Sequence, residues 1–531
     1  MNRSMTWAFS ERISQQFLKS ASILLLGTGL GILANVYSPA LVTIGTALFT
    51  FLCVSLYIKT TVARDVQTIT VSPEHEQNTF LSYVFYLAFF LSNTIPKSGR
   101  TISNIPVTTA NIVILSALLF WAVRLIFSQE SLFSLPLAKP LLVFILYGCA
   151  SIFIGLAQGN PYKIVLLDFV AFIGFIPVYF LVCNLVRTPS QIRKILWIVV
   201  VSLILVCGYG MLQRRLGFER VAVRGITEQY NLIMYQGVGR WNVIEGGGQK
   251  LYSTFQNGNI FGNHLATFIP FLAGIVLGMR QSSKSQKIVL FAILLFTCYI
   301  LFLTYSRGAL VGIIGGFMTL AVISKKIRIK AFLSIMLIMV ILGTLLWQYA
   351  DRPEMVRYDL RRISTDPHQF SAGRLKRAQQ VLSGVAALPL PQKLFGLGFG
   401  GELSTPTHWR FMYVDNLYLT LLFKMGIVGV IILFIALFQL FFTLFNYVRT
   451  LQDMRSRSLL YGGIAGLVAS LTHNLADTLW FFPPLAVNFW FLAGITVCIG
   501  MIATRQELVQ QATETRPKTK MRLSAHAERK R

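Results

Sequence analysis

A chain of 531 residues that is 54% hydrophobic and only 13% charged, with a mean hydropathy of +0.62, is excluded from the soluble class, where about a quarter of residues carry charge. Its net charge of +28 would point to nucleic acid in a soluble protein. Here the basic residues sit between long apolar runs and on the loops, where topology and surface chemistry account for them and no nucleic-acid partner is expected.

The apolar runs predict about 14 membrane-spanning helices, with 12 or 13 if the short first and third are set aside. In chain order they fall at 21–36, 40–58, 80–93, 109–127, 138–157, 163–185, 193–212, 259–279, 286–305, 307–323, 330–348, 427–446, 458–477 and 485–503. A backbone in hydrocarbon must satisfy its own hydrogen bonds, so the expected fold is an all-α polytopic membrane protein. With the N-terminus in the cytoplasm, the inner segments hold 28 of the 48 Lys and Arg, as the positive-inside rule expects. Both termini are then cytoplasmic, and the polar N-terminal 20 residues read as the approach to a retained span. The tail from Thr504 to Arg531, basic and without apolar periodicity, reads as a disordered arm near anionic lipid.

This topology divides the chain into N-terminal helices over 1–212, an external loop over 213–258, helices over 259–349, a large external loop over 350–425, C-terminal helices over 426–503 and a basic cytoplasmic tail over 504–531. The six cysteines, Cys53, Cys149, Cys183, Cys207, Cys298 and Cys498, all fall within predicted spans without metal-ligand spacing. They read as small apolar residues; no metal, cofactor or disulfide framework is expected.

Polar chemistry gathers on the two long outer loops. The first carries Arg214, Arg215, Arg220, Arg224 and Arg240; the second carries Arg352, Arg357, Arg361, Arg362, Arg374, Lys376 and Arg377. Arginine dominates lysine, and its planar fork of donors grips phosphate in a bidentate way, so an anionic, phosphorylated ligand is expected. Arg307, in TYSRG between two spans, fits either an anion contact or a side chain reaching for the interface. The stretch GLGFGG at 396–401 matches G-x-G-x-x-G, but nothing around it supplies a βαβ unit; it reads as a glycine-rich turn whose N–H groups are available to an anion.

The stretch YVDNLYLTLLFKMGIVG, Tyr413 to Gly429, precedes a run long enough to cross the bilayer unaided. It reads as a short interfacial helix bent near Gly426, with Asn416, Thr420 and Lys424 along one edge. Asp415 at its start is either a helix cap or a base facing the arginines. His408 lies seven residues upstream. His473 and Asp477, one turn apart, and Asp168, an intramembrane charge, are further candidates.

DNLYLTLLFKMGIVG resembles the signature of the bacterial O-antigen ligase and polymerase family. FQNGNIFGNHLATFIPF, LTYSRGALVGIIGGF, SAGRLKRAQQVL, LFGLGFGG and LTHNLADTLWFFPP follow the family's blocks in order over roughly 250–500. The resemblance implies a GT-C-like helical fold with 12–14 spans and two long extracytoplasmic loops. The activity it implies is that of an inverting, metal-independent glycosyltransferase of the bacterial inner membrane, acting at its outer face. The donor would be an undecaprenyl diphosphate-linked glycan, and the acceptor lipid A-core, another lipid-linked glycan or a protein hydroxyl.

Under the resemblance Arg307 and Arg374 would hold the diphosphate, with Arg361, Arg362 and Arg215 as further contacts, and Asp415 stands where the family has the histidine thought to activate the acceptor. Asp415, His408 and Asn416 are therefore the expected catalytic residues, and His473, Asp477, Asp168 and Lys424 further members of the site. The departure from histidine leans toward polymerase chemistry or another acceptor over lipid A-core ligation. A flippase for lipid-linked glycans would have a similar span count, but it predicts internal repeats and mid-membrane charge in both halves. The sequence shows no such repeat.

Overall fold

The computed structural model describes residues 79–96, 99–102, 105–127, 135–218, 220–223, 227, 243–244, 248–255, 257–279, 283–324, 373–404, 410–411 and 413–514. The spans expected at 21–36, 40–58 and 330–348 lie outside them. Two compact units divide the chain: residues 1–91 with 95–130, and residues 92–94 with 131–531. The first contains most of α1 (Thr79–Thr94), the antiparallel hairpin β1 (Gly99–Ile102) and β2 (Ile105–Thr108), and α2 (Thr109–Phe127).

The second unit holds the remaining helices: α3 (Ala138–Ala157), α4 (Tyr162–Phe172), α5 (Pro177–Leu185), α6 (Pro189–Leu216), α7 (Gly258–Gly278), α8 (Lys284–Leu303) and α9 (Arg307–Ser324). They are followed by α10 (Arg374–Ala387), α11 (Leu390–Phe395), α12 (Leu417–Thr450), α13 (Met454–His473) and α14 (Pro483–Glu514). Two short hairpins, β3–β4 and β5–β6, join Val243–Ile244 to Gly248–Gln249 and Leu403–Ser404 to Arg410–Phe411. Among the described residues eight helices are long and apolar enough to cross a membrane, counting α4 and α5 as one stretch. The protein is an all-α polytopic membrane protein.

Three boundaries differ from the sequence expectation. The span at 163–185 is broken over Ile173–Ile176, because Pro177 lacks the N–H that would continue the helix and instead opens α5. The tail does not begin as a disordered arm at Thr504, since α14 runs on to Glu514. Good helix formers extend it, and the Glu507 carboxylate accepts from the Gln452 and Asp453 N–H groups at 2.8 and 2.9 Å, tying it to the α12–α13 connection. Finally, α12 begins ten residues before the expected span and departs from helical geometry at Gly426, where φ is 68°. The expected bend falls there.

The core is built on α7, α9 and α13, which pack together. Gly308, Gly312 and Gly316 recur every four residues on α9. A Cβ on Gly312 or Gly316 would lie 2.6 or 2.7 Å from the Ala469 or Ala465 carbonyl of α13. Small residues at this spacing let helix backbones approach where apolar side chains would gain nothing over lipid. The N-termini of α7, α9 and α12 and the C-terminus of α13 thereby meet at one end of the unit.

Candidate active site

At this end α10 lies beside the helix termini. It is amphipathic: Val381 and Val385 pack into a cluster with Leu397, Leu403, Val414 and Phe423, while its first turn holds Arg374, Lys376 and Arg377. No acidic residue offsets them within that turn, so the helix dipole and three cations add to the same positive end. Arg374 and Arg377, three residues apart, share a face. The charge is met from another element: Asp415 Oδ2 lies 2.5 Å from an Arg377 guanidinium nitrogen and 3.7 Å from Arg374 Nε. A second carboxylate, Asp477 Oδ2, lies 3.8 Å from Arg374 and accepts from the Asn259 amide at 3.1 Å.

The two carboxylates differ. Asp415 keeps 39% of its side chain exposed, against 17% for Asp477. Burial holds the Asp477 carboxyl above the ordinary carboxylate range, against the Arg374 guanidinium, with the Asp415 charge adding to the rise.

Asp415 is aimed by its neighbours. Asn416, not Asp415, caps α12: its side-chain oxygen accepts from the Leu419 N–H at 3.0 Å, and its amide donates to the Leu475 carbonyl at 2.9 Å. The Val414 carbonyl accepts from the Thr478 and Thr420 hydroxyls, and the Leu417 N–H donates to the Asn474 carbonyl at 3.0 Å. The cap position thus leaves the Asp415 carboxylate to the arginines. Asn416, placed by sequence among the catalytic residues, is engaged in fixing the helix start.

His473 is buried at the end of α13. Its Nε2 lies 3.5 Å from the Ser306 hydroxyl, and a Cβ on Gly308 would come within 2.5 Å of the ring. Those contacts flank Arg307, the half-buried first residue of α9, so the helix end carrying Arg307 is fixed against the end of α13. Arg215 is exposed on the last turn of α6 rather than in this cluster. His408, Arg361 and Arg362 lie outside the described residues.

Asp168 and Lys424 form a second, fully buried centre. Lys424 does not reach for the interface: its Nζ lies 2.6 Å from Asp168 Oδ2, and both side chains are 0% exposed. The Gly400 N–H and the Tyr413 hydroxyl donate to the same carboxylate, each at 2.7 Å, and Lys424 Nζ stands 4.8 Å above the Tyr413 ring. Burial, then the Asp168 carboxylate, pushes the Tyr413 phenol up, which keeps it a donor. The turn at 396–401 supplies no free N–H nest. Leu397 and Gly398 N–H donate to the Phe423 and Lys424 carbonyls, Phe399 N–H to the Ser151 carbonyl, and Gly400 N–H to Asp168. Its glycines serve close backbone approach: a Cβ on Gly396, where φ is 83°, would sit 2.3 Å from the Lys424 carbonyl oxygen.

Sequence reasoning left Arg377, Asn259 and Tyr413 out of the site. Arg377 stands three residues after Arg374, a spacing that would have found it; Asn259 and Tyr413 gave no local signal, because their partners Asp477 and Asp168 are 218 and 245 residues away. Among the described residues no group of three or more His, Cys, Asp or Glu side chains is arranged to hold a metal ion.

Fold and site define a multi-pass helical membrane protein with an arginine-carboxylate centre at one end of its helices. Residues 290–434, which contain Arg307, Arg374, Arg377, Asp415 and Lys424, match the family model of the O-antigen ligases. That match supports the O-antigen ligase and polymerase family and an enzyme-like role in surface polysaccharide biosynthesis. No curated protein matches the chain.

Proposed function

We propose that the protein is an inverting, metal-independent glycosyltransferase that takes a glycan from an undecaprenyl diphosphate carrier at the outer face of the bacterial inner membrane. The observation that carries this reading is Asp415 Oδ2 standing between Arg374 and Arg377, within the O-antigen ligase stretch. Two guanidiniums at the positive end of α10 form an anion clamp, and Arg307, at the start of α9, faces the same end of the helices. The carboxylates of Asp415 and Asp477 occupy the clamp. A donor diphosphate, with more charge and more acceptor oxygens, displaces them, which frees Asp415 beside the reacting sugar.

Chemistry then follows from position. The acceptor hydroxyl oxygen bonds to the anomeric carbon on the face opposite the diphosphate, the bond from that carbon to the diphosphate oxygen breaks, and configuration inverts. The leaving electron pair stays on undecaprenyl diphosphate, where the arginines stabilise the developing charge. The hydroxyl proton passes to Asp415; a carboxylate suffices when the transition state is oxocarbenium-like and the proton leaves late. The acceptor is a second lipid-linked glycan or a lipid A-core hydroxyl.

The test is transfer by protein reconstituted in proteoliposomes, with undecaprenyl diphosphate-linked glycan and excess chelator. Arg374→Ala and Arg307→Ala are each expected to lower transfer by about 100-fold or more. Undiminished transfer by both variants would remove the clamp, and dependence on added metal would remove the metal-independent mechanism.

A further inference from the structure

The centre built on Asp168, Lys424 and Tyr413 lies off the reacting groups, yet it joins the helix that follows Asp415, the segment that carries it and the turn that packs under α10. Lys424 belongs to α12, Asp168 to α4, Gly400 to the glycine turn, and Tyr413 stands two residues before Asp415. We propose that this buried triad is a positioning device for Asp415: through Tyr413 it fixes one end of the segment 413–416, and through the glycine turn it fixes the floor under α10. The inference rests on the proposed glycosyl transfer for its kinetic part, and on the structure alone for its mechanical part.

Two chains of contacts carry the constraint. In the first, the Tyr413 hydroxyl is held by Asp168 Oδ1, and its ring packs 4.2 Å from the Phe481 ring between centroids. Val414 is held by Thr420 and Thr478, and Asn416 by Leu475. Asp415 is thereby presented by a segment anchored on both sides, with its side chain partly exposed. In the second, Gly400 on Asp168 and Gly398 on the Lys424 carbonyl hold the turn, and Leu397 from that turn shares the apolar cluster with Val381 and Val385 of α10. Both partners of the Asp415–Arg377 contact are therefore referred to one buried ion pair. A fully buried carboxylate and ammonium, with three donors on the carboxylate, stay in one geometry, because any shift leaves a buried charge uncompensated.

Tyr413→Phe is the discriminating variant, since it keeps the ring, its contact with Phe481 and the Asp168–Lys424 pair and removes only the hydroxyl. Full-length protein in proteoliposomes is assayed for hydrogen exchange over 410–420, for thermal stability, and for kcat and donor KM. The expected result is at least tenfold faster exchange of the Val414 to Leu417 amides, with α10 exchange and the melting temperature little changed. The same variant should lose at least tenfold in kcat with donor KM unchanged. Lys424→Met combined with Asp168→Asn, which removes both charges together, should speed exchange in 413–417 and, unlike Tyr413→Phe, in α10 as well.

Unchanged exchange in both variants overturns the proposal. Faster exchange with unchanged kcat also overturns it, because the position of Asp415 would then be without consequence. A wild type that transfers nothing on any acceptor sinks the glycosyltransferase reading, and the exchange data then decide the mechanical claim on their own.

Discussion

Asp415 and Asn416 are adjacent, polar and equally good helix caps by composition, so their division of labour was not legible in the sequence. The backbone decides it: Asn416 is extended, with φ of −166°, and places its amide over the first turn of α12, which leaves Asp415 facing α10. Asp415→Asn is expected to cost about 100-fold or more in kcat while donor binding tightens, because the arginines lose an internal competitor; a donor titration with a kinetic assay checks both halves. Asp477 makes a pH prediction. Its carboxyl is raised above the ordinary value of about 3.9, so the folded state binds the proton more tightly than the unfolded one. Stability therefore falls as pH rises from about 4 through the elevated value. Melting curves of Asp477→Asn across that window should be flatter than those of wild type; parallel curves would contradict the assignment.

The apolar periods of the helices were legible residue by residue, and α2 and α3 occupy the expected 109–127 and 138–157. The breaks and junctions were not, because they depend on contacts between distant segments. GLGFGG offered no local clue that its N–H groups would be spent on α12, α3 and Asp168, nor could Lys424 be told from an interfacial lysine until α4 was placed beside it. A charge-removal series follows. Asp168→Asn or Lys424→Met alone leaves one buried charge unpaired and should cost about 3–5 kcal/mol, while the double variant should recover much of that loss. Thermal or denaturant unfolding in detergent measures the cycle, and additive losses would refute the pairing. Gly426→Ala should also destabilise the α11–α12 junction, since its Cβ would lie 2.2 Å from the Leu394 carbonyl oxygen and its φ is left-handed.

Across the whole molecule, composition sufficed for the membrane class, and the ordered blocks sufficed for the family that residues 290–434 match. What the sequence could not supply was the convergence: Arg374, Asp415, Asp477 and Asn259 lie on four separate segments, and only the packing of α7, α9 and α13 together with α10 brings them within ion-pair or hydrogen-bonding distance of one another. The glycine spacing of α9 hinted at that packing without naming its partner. The account stands on the claim that this convergence is a transfer centre in which residue 415 takes the acceptor proton. The direct test is single-turnover transfer in metal-free proteoliposomes by wild type, Asp415→Asn and Asp415→His. The account predicts loss in the Asn variant and recovery in the His variant, with recovered activity falling as pH drops below about 6.5 and the imidazole is protonated. Full activity in Asp415→Asn would contradict it, reducing Asp415 to an ion-pair partner of α10.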